Sequence, residues 1–326
     1  MQANLKSLAR VFISITLIFF LFWFMRDEFD QVQKALKNIN MGVFAYSILV
    51  FNAAVVVLVL RFKRILFTQG IDAGFTRLLS LTYIAYFFNN FLPTSMGGDL
   101  VKGYYIIKQN NKKLQVFTAI FIDRFVGAVT FFAIAAIALI TLGIVGKASQ
   151  EAGLTALVWT MVSATAFICF FFLNKRFARK FKFMIHPFKN TKLEEGLRKI
   201  YTTINNVKDH RKSMKEIFAL SLVSQLLSFY IVYCLAMSVN VKISFIWVLL
   251  LMPIVSAFSM LPSLGGLGVR EGATVVFFGP LIGKDNAFII SILWLLLLFI
   301  ASVAGGLIYL LGKHYRSSFK TKEEFA

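Results

Sequence analysis

Two short stretches of this sequence place a basic residue four positions after a pair of glycines. Residues 92–103 read LPTSMGGDLVKG and carry Lys102, and residues 261–272 read LPSLGGLGVREG and carry Arg270. Proline and paired glycines break helices, and a half-helix that starts at such a break offers free N–H groups to an anion. Lys and Arg add charge, and Arg can bind a phosphate through two nitrogens. We therefore predict an anion site, with phosphate as its ligand, built from both basic residues and the glycine pairs Gly97, Gly98, Gly265 and Gly266.

Four more ionisable residues lie near these breaks or inside an apolar run. Asp99 precedes Lys102 by three positions, which places both on one face of a helix. Glu271 adjoins Arg270, and neighbouring side chains on a helix do not normally face each other. We predict that Arg124 faces the cavity, and that Asp123 pairs with a lysine of the first stretch. Internal salt bridges that only neutralise buried charge, or snorkelling of residues 123–124 to the inner interface, are the alternatives.

The composition is that of a polytopic helical membrane protein. Of 326 residues, 58% are hydrophobic, and many fall in runs near the length that spans a bilayer. The net charge of +20 would suggest nucleic acid in a soluble protein, but here the cations fall in loops, so the positive-inside rule explains them and we expect no nucleic-acid partner. Cys169 and Cys234 lie in apolar runs, and no catalytic or metal-binding motif appears, so we predict no metal, no cofactor and no catalytic residue.

The apolar runs predict an all-α fold with six spanning helices and two re-entrant helical hairpins. The spanning helices are predicted at residues 11–25, 43–60, 114–142, 154–174, 217–237 and 287–311. Two pairs of shorter segments flank the Pro/Gly breaks, at residues 75–92 with 100–107 and 243–260 with 273–282. Such breaks persist at membrane depth only where protein or a water-filled cavity satisfies the backbone. Asn89, Asn90 and Gln225 are predicted to supply hydrogen bonds between helices, and Ser302, Gly305 and Gly306 a close packing contact.

The distribution of cations predicts which side each loop faces. Arg61, Lys63 and Arg64 follow the second helix and indicate a cytoplasmic end. Residues 175–215 are dense in Lys and Arg, and we predict a basic cytoplasmic loop that anchors the topology or lies along the anionic leaflet. Both termini are then cytoplasmic in a single transmembrane domain, residues 1–326. Residues 43–143 and 217–311 become two repeats of opposite topology, provided that the first hairpin opens to the cytoplasm.

The motifs resemble a known family. The segments L-P…G-G-D…K at residues 92–102, D-R…G at residues 123–127 and P-S-L-G-G-L-G-V-R-E-G at residues 262–272 are similar to the lysylphosphatidylglycerol synthase transmembrane family, also called the flippase-like domain. The resemblance covers nearly the whole chain. It implies a unit that moves aminoacylated phosphatidylglycerol, or a polyprenyl-phosphate lipid, between leaflets. No soluble transferase domain follows in this sequence, so the resemblance does not extend to transferase activity.

These observations predict a flippase-like protein of the cell membrane that translocates an anionic lipid, either a modified phospholipid such as lysyl-phosphatidylglycerol or a polyprenyl-phosphate glycolipid. The alternative is the membrane component of a lipid-modifying transferase, with a cytosolic or membrane transferase as partner. A carrier for a small soluble anion is a third possibility.

Overall fold

The computed structural model describes residues 39–89, 97–144, 211–259 and 268–312, with a few isolated positions between 153 and 163. These four segments contain eight helices and no strand, which confirms the all-α prediction. The helices are α1 (Met41–Thr68), α2 (Phe75–Asn89), α3 (Gly97–Asn110), α4 (Lys113–Ile144), α5 (Arg211–Ser238), α6 (Phe245–Phe258), α7 (Val269–Ile282) and α8 (Lys284–Leu311). The predicted helix 11–25, all but isolated positions of the predicted helix 154–174, most of the basic loop 175–215, and Asn90, Gly265 and Gly266 lie outside the described residues.

Four of the eight helices are long and apolar enough to cross a membrane. They are α1, α4, α8 and the part of α5 from Lys212 to Ser238. Their outward faces are apolar: Leu49 on α1 and Ile137 on α4 are more than half exposed. Exposed aliphatic side chains on long helices are expected where the surrounding solvent is lipid. The four correspond to predicted spanning helices, and they support a multi-pass membrane protein.

Helix α1 is longer than the sequence predicted. It begins after Asn40, whose side-chain oxygen accepts hydrogen bonds from two backbone N–H groups of the first turn, at 3.0 and 3.2 Å. The predicted end at residue 60 is wrong, because the helix continues to Thr68 and turns at Gly70, whose φ is +68°. The cations after residue 60 therefore lie within the last two turns of α1, where Ile65 and Leu66 are fully buried.

Helices α2 and α3 form the first predicted hairpin. They pack so closely that a Cβ on Gly98 would lie 2.2 Å from the carbonyl oxygen of Ala85. The amide N–H of Gly98 donates to Oδ1 of Asn89 at 2.6 Å, so an α2 side chain caps the start of α3. At the open end, Lys112 donates from Nζ to the carbonyl of Gly70 at 2.7 Å. The chain therefore enters α2 and leaves α3 at the same end of the bundle, as a hairpin requires.

Helices α6 and α7 form the second predicted hairpin. Helix α7 begins after Gly268, which has a φ of +79°, a conformation that glycine adopts without strain. The amide N–H of Gly268 donates to Oε2 of Glu271 at 2.7 Å, so an acidic side chain caps the N-terminus of α7.

Helices of the two predicted repeats pack against each other. Helices α1 and α5 run antiparallel: the Asn40 amide donates to the Ser238 carbonyl at 2.7 Å at one end, and Arg64 pairs with Glu216 at the other. Helix α2 packs on α8, and its counterpart α6 packs on α4. A short helix of each half, α1–α4 or α5–α8, therefore packs on a long helix of the other half. Antiparallel packing of corresponding helices is the arrangement that inverted-topology repeats produce. The repeat boundaries and the membrane side of each loop remain predictions.

Candidate anion site

A cavity of about 410 Å³ lies between the first hairpin and the helices that surround it. Helices α1 to α6 all contribute to its lining. Apolar side chains such as Leu58, Phe131 and Phe132 form part of the wall. In the part of the chain that the structure describes, the charged residues of the lining are Arg61, Asp99, Lys102, Asp123 and Arg124, and the amides are Asn89 and Gln225. Charges at membrane depth are costly, so a cavity that collects five of them is the leading candidate for a functional site.

Asp99 is the centre of one ionic cluster in this cavity. It lies in the first turn of α3, and its Oδ1 is 3.3 Å from Nζ of Lys102, one turn further along the same helix. Its Oδ2 accepts from two nitrogens of Arg124 on α4, with Nε at 2.6 Å. The Lys102 ammonium also lies 4.0 Å from the ring centroid of Phe62, within range of a cation–π contact. Asp99 thus links the first hairpin to α4 through two cations.

A second cluster joins α1, α4 and α5. The guanidinium of Arg61 donates from Nε to Oδ1 of Asp123 at 2.9 Å and from Nη1 to Oγ of Ser221 at 3.0 Å. The hydroxyls of Ser221 and Thr130 lie 2.7 Å apart, and Gln225 donates to the Gly127 carbonyl at 3.4 Å. Arg61 is only 4% exposed. This network holds a buried cation at the junction of three long helices.

Arg61 lines the cavity, and it is not among the candidate site residues that the sequence predicted. The sequence predicts a cytoplasmic helix end at Arg61, because Lys63 and Arg64 follow it. The sequence does contain evidence for a longer helix, since the apolar residues Ile65 and Leu66 follow these cations. The prediction that Asp123 pairs with a lysine of the first hairpin is wrong, because its partner is Arg61.

The predictions for α3 and α4 agree with the described geometry in other respects. Lys102 lies about one turn into α3, Asp99 shares its helix face, and Arg124 lines the cavity. The predicted hydrogen bonds of Asn89 and Gln225 are also present. The glycines Gly97 and Gly98 begin α3, and both are buried.

The second break is built differently. Arg270 is the second residue of α7 and not a full turn into it. Its Nε and Nη2 donate to Oε1 of Glu271 at 3.1 and 2.5 Å, so the expectation that these neighbours do not face each other is wrong. The pair meets because Glu271 turns back to cap Gly268, which brings its other oxygen beside the guanidinium.

Arg270 and Glu271 are absent from the lining of the cavity described above. The structure brings together Asp99, Lys102, Asp123 and Arg124, and it adds Arg61. The predicted sharing of one anion by Lys102 and Arg270 stays a prediction, and the Glu271 partner of Arg270 favours the alternative of local charge neutralisation.

The long apolar helices, the paired half-length helices and the charged cavity define a polytopic helical membrane protein with a polar site inside the bundle. The chain belongs to the family described as the lysylphosphatidylglycerol synthase TM region, whose model matches residues 7–306. It is 23% identical over 328 residues to a UPF0104 membrane protein of Pyrococcus horikoshii, an alignment that covers 94% of this chain and 97% of the relative.

Proposed function

We propose that this protein translocates an anionic lipid between the two leaflets of the cell membrane. The observation that carries the proposal is the cavity in which Arg61, Lys102 and Arg124 face Asp99 and Asp123 within an otherwise apolar bundle. Membership of the family is consistent with a lipid substrate. The phosphate of the headgroup is the part of the lipid that this set of charges recognises.

Arg124 and Lys102 are the cations that a headgroup would meet. Arg124 is the most exposed of the three, with 39% of its side chain accessible, against 9% for Lys102 and 5% for Arg61. A phosphate that binds Arg124 and Lys102 competes with Asp99, which both cations already contact. The Arg61–Asp123 pair stays in place behind them as part of the wall.

Acyl chains remain in the bilayer while the headgroup occupies the cavity. The site lies beside a hairpin of half-length helices, which is where transporters with repeated halves place their substrates. In this proposal the two repeats move relative to each other and expose the cavity to one leaflet and then to the other. The headgroup thereby avoids the apolar interior of the membrane.

Reconstitution of the purified protein without any partner tests the proposal. Vesicles would carry acyl-labelled phosphatidylglycerol, lysyl-phosphatidylglycerol or a polyprenyl-phosphate glycolipid, and a membrane-impermeant quencher would report the fraction that reaches the outer leaflet. We expect translocation of at least one of these lipids. Arg124→Gln should slow it by about a hundredfold, because loss of one partner of a charged contact costs about 2–5 kcal/mol.

Arg64→Gln is the matched control. It also removes one arginine from an ion pair, but that pair, with Glu216, does not line the cavity. Translocation at the unassisted rate for every lipid would contradict the proposal. Lipid movement only after a transferase is added would favour the alternative role as the membrane component of a transferase system. Inhibition of translocation by soluble anions as strong as that by short-chain lipids would favour a small-anion carrier.

A further inference from the structure

Among the residues that the structure describes, the charges that line the cavity do not balance. Three are cations, Arg61, Lys102 and Arg124, and two are carboxylates, Asp99 and Asp123, which leaves one positive charge in excess. The segments 90–96 and 260–267, each of which connects the two helices of one hairpin, contain no ionisable side chain. An unpaired charge away from water is costly, so a cavity with one excess cation is completed by one negative charge from a ligand.

The excess belongs to the Asp99 cluster. Arg61 and Asp123 pair one to one at 2.9 Å, and Ser221 takes a further hydrogen bond of Arg61. Asp99, in contrast, is shared by Lys102 and Arg124. Its contact with Lys102, at 3.3 Å, is longer than the roughly 2.7–2.9 Å of a good charge-assisted hydrogen bond. Lys102 and Arg124 are therefore the cations that a single negative charge would complete.

From this charge count, and resting on the proposed function, we infer that the cavity selects a headgroup with a net charge of minus one, such as the phosphodiester of phosphatidylglycerol, over a phosphomonoester, a diphosphate or a zwitterionic headgroup. A phosphodiester headgroup with no other charged group brings one negative charge and makes the cavity neutral. A phosphomonoester carries about 1.5 to 2 negative charges at neutral pH and would leave the cavity with a net negative charge beside Asp99. The excess charge, and not only the presence of arginine, thus sets the substrate class.

Three lipids with the same labelled acyl chains test this inference: phosphatidylglycerol, a diester; phosphatidic acid, a monoester; and phosphatidylcholine, which has no net charge. At about pH 8 the monoester is close to doubly charged. We expect the wild-type protein to move phosphatidylglycerol about tenfold faster than either of the others, which corresponds to roughly 1.4 kcal/mol of discrimination.

The decisive variant is Asp99→Asn, which raises the excess from one positive charge to two. It should shift the ratio of phosphatidic acid to phosphatidylglycerol transport about tenfold towards the monoester, a gain that misfolding cannot produce. Glu216→Gln is the matched control, since it makes the same carboxylate-to-amide change outside the cavity lining. Its ratio should equal that of the wild type.

A second variant tests the inference even if the Asp99→Asn protein does not fold. Lys102→Gln removes the excess charge, so preference for phosphatidylglycerol over phosphatidylcholine should disappear. Equal rates for the diester and the monoester in the wild type, or an unchanged ratio in Asp99→Asn, would overturn the inference.

Binding measurements separate this inference from the proposed function. If no lipid is translocated, the proposed function fails, but native mass spectrometry with short-chain phosphatidylglycerol and phosphatidic acid still reports the charge preference. Glycerophosphoglycerol, the soluble diester without acyl chains, should not compete. Competition equal to that of short-chain phosphatidylglycerol would overturn the assignment to a lipid.

Discussion

At the scale of single residues, two arginines on α1 show how burial determines the contribution of an ion pair to stability. Arg61 and Arg64 are three positions apart. The Arg61 side chain is 5% exposed and pairs with Asp123, whereas the Arg64 side chain is 38% exposed and pairs with Glu216. Loss of the partner lowers the free energy of unfolding much more for a buried charge than for a charge that water can still reach.

Arg61→Gln should therefore destabilise the protein much more than Arg64→Gln. We expect losses of about 3–5 kcal/mol for Arg61→Gln and roughly 0–1 kcal/mol for Arg64→Gln, measured as the shift in denaturant-induced unfolding in detergent micelles. The double variant Arg61→Gln with Asp123→Asn should recover part of the loss, because no charge is then left unpaired. Equal losses for the two single variants would show that the Arg61 pair is not buried in the folded protein.

The sequence predicted the contact of Asp99 with Lys102, but not the partners of Asp123 and Arg270. The spacing of Asp99 and Lys102 on one helix face was enough to predict their contact. The partner of Asp123 could not be predicted, because Arg61 is 62 positions away on another long helix and any of several cations would have served. The Arg270–Glu271 contact was missed because it depends on Glu271 folding back to cap α7, which helix periodicity alone does not show.

At the scale of helices, glycines set how closely the short helices approach their neighbours. A Cβ on Gly305 of α8 would lie 1.9 Å from the carbonyl oxygen of Tyr83 on α2. Tyr309, one turn further along α8, packs edge-on against Phe88. The backbones of α2 and α8 are therefore in direct contact, as small residues in membrane helices allow.

Gly305→Ala should separate these two helices. We expect a loss of about 1–3 kcal/mol or more, because the added methyl meets backbone and not a flexible side chain. Gly272→Ala on α7 is the matched control: nothing lies within 4 Å of its added Cβ, and it should be neutral or stabilise the helix by up to about 1 kcal/mol. Thermal unfolding of the two purified variants provides the measurement, and a neutral Gly305→Ala would contradict the α2–α8 contact.

Element types were predictable from apolar length and from Pro/Gly breaks, but helix ends were less so. The short helices α2 and α3 follow the predicted hairpin, and the close packing predicted at Gly305 is present. The end of α1 was placed too early because cations are common helix-end signals in membrane proteins, and a sequence does not show that one of them, Arg61, has a buried partner.

At the scale of the whole molecule, the antiparallel pairing of α1 with α5 agrees with the inverted repeat that charge placement predicted. The contact of Lys112 with Gly70 places both open ends of the first hairpin together. The inversion also requires that these ends face the cytoplasm, which stays a prediction. These two observations are independent, because one concerns the halves and the other the hairpin within a half.

Cysteine labelling would test the orientation. In a background that lacks Cys169 and Cys234, a cysteine at Asn110 should react with an impermeant reagent from the cytoplasmic side, and one at Lys284 from the outside. The physical reason is the excess of Lys and Arg around Asn110, which is retained in the cytoplasm. Labelling of both positions from one side would rule out hairpins that open to opposite faces of the membrane.

The packing of each short helix on a long helix of the other half has a consequence for biosynthesis. Helix α2 packs on α8, which is the last described helix to leave the ribosome. Until α8 has been made, the Tyr83 backbone that Gly305 will contact has no native neighbour on that side. The N-terminal half therefore cannot reach its final packing before α8 has been synthesised. In a chain truncated before α8, this face of α2 would contact lipid or the insertion machinery instead of protein.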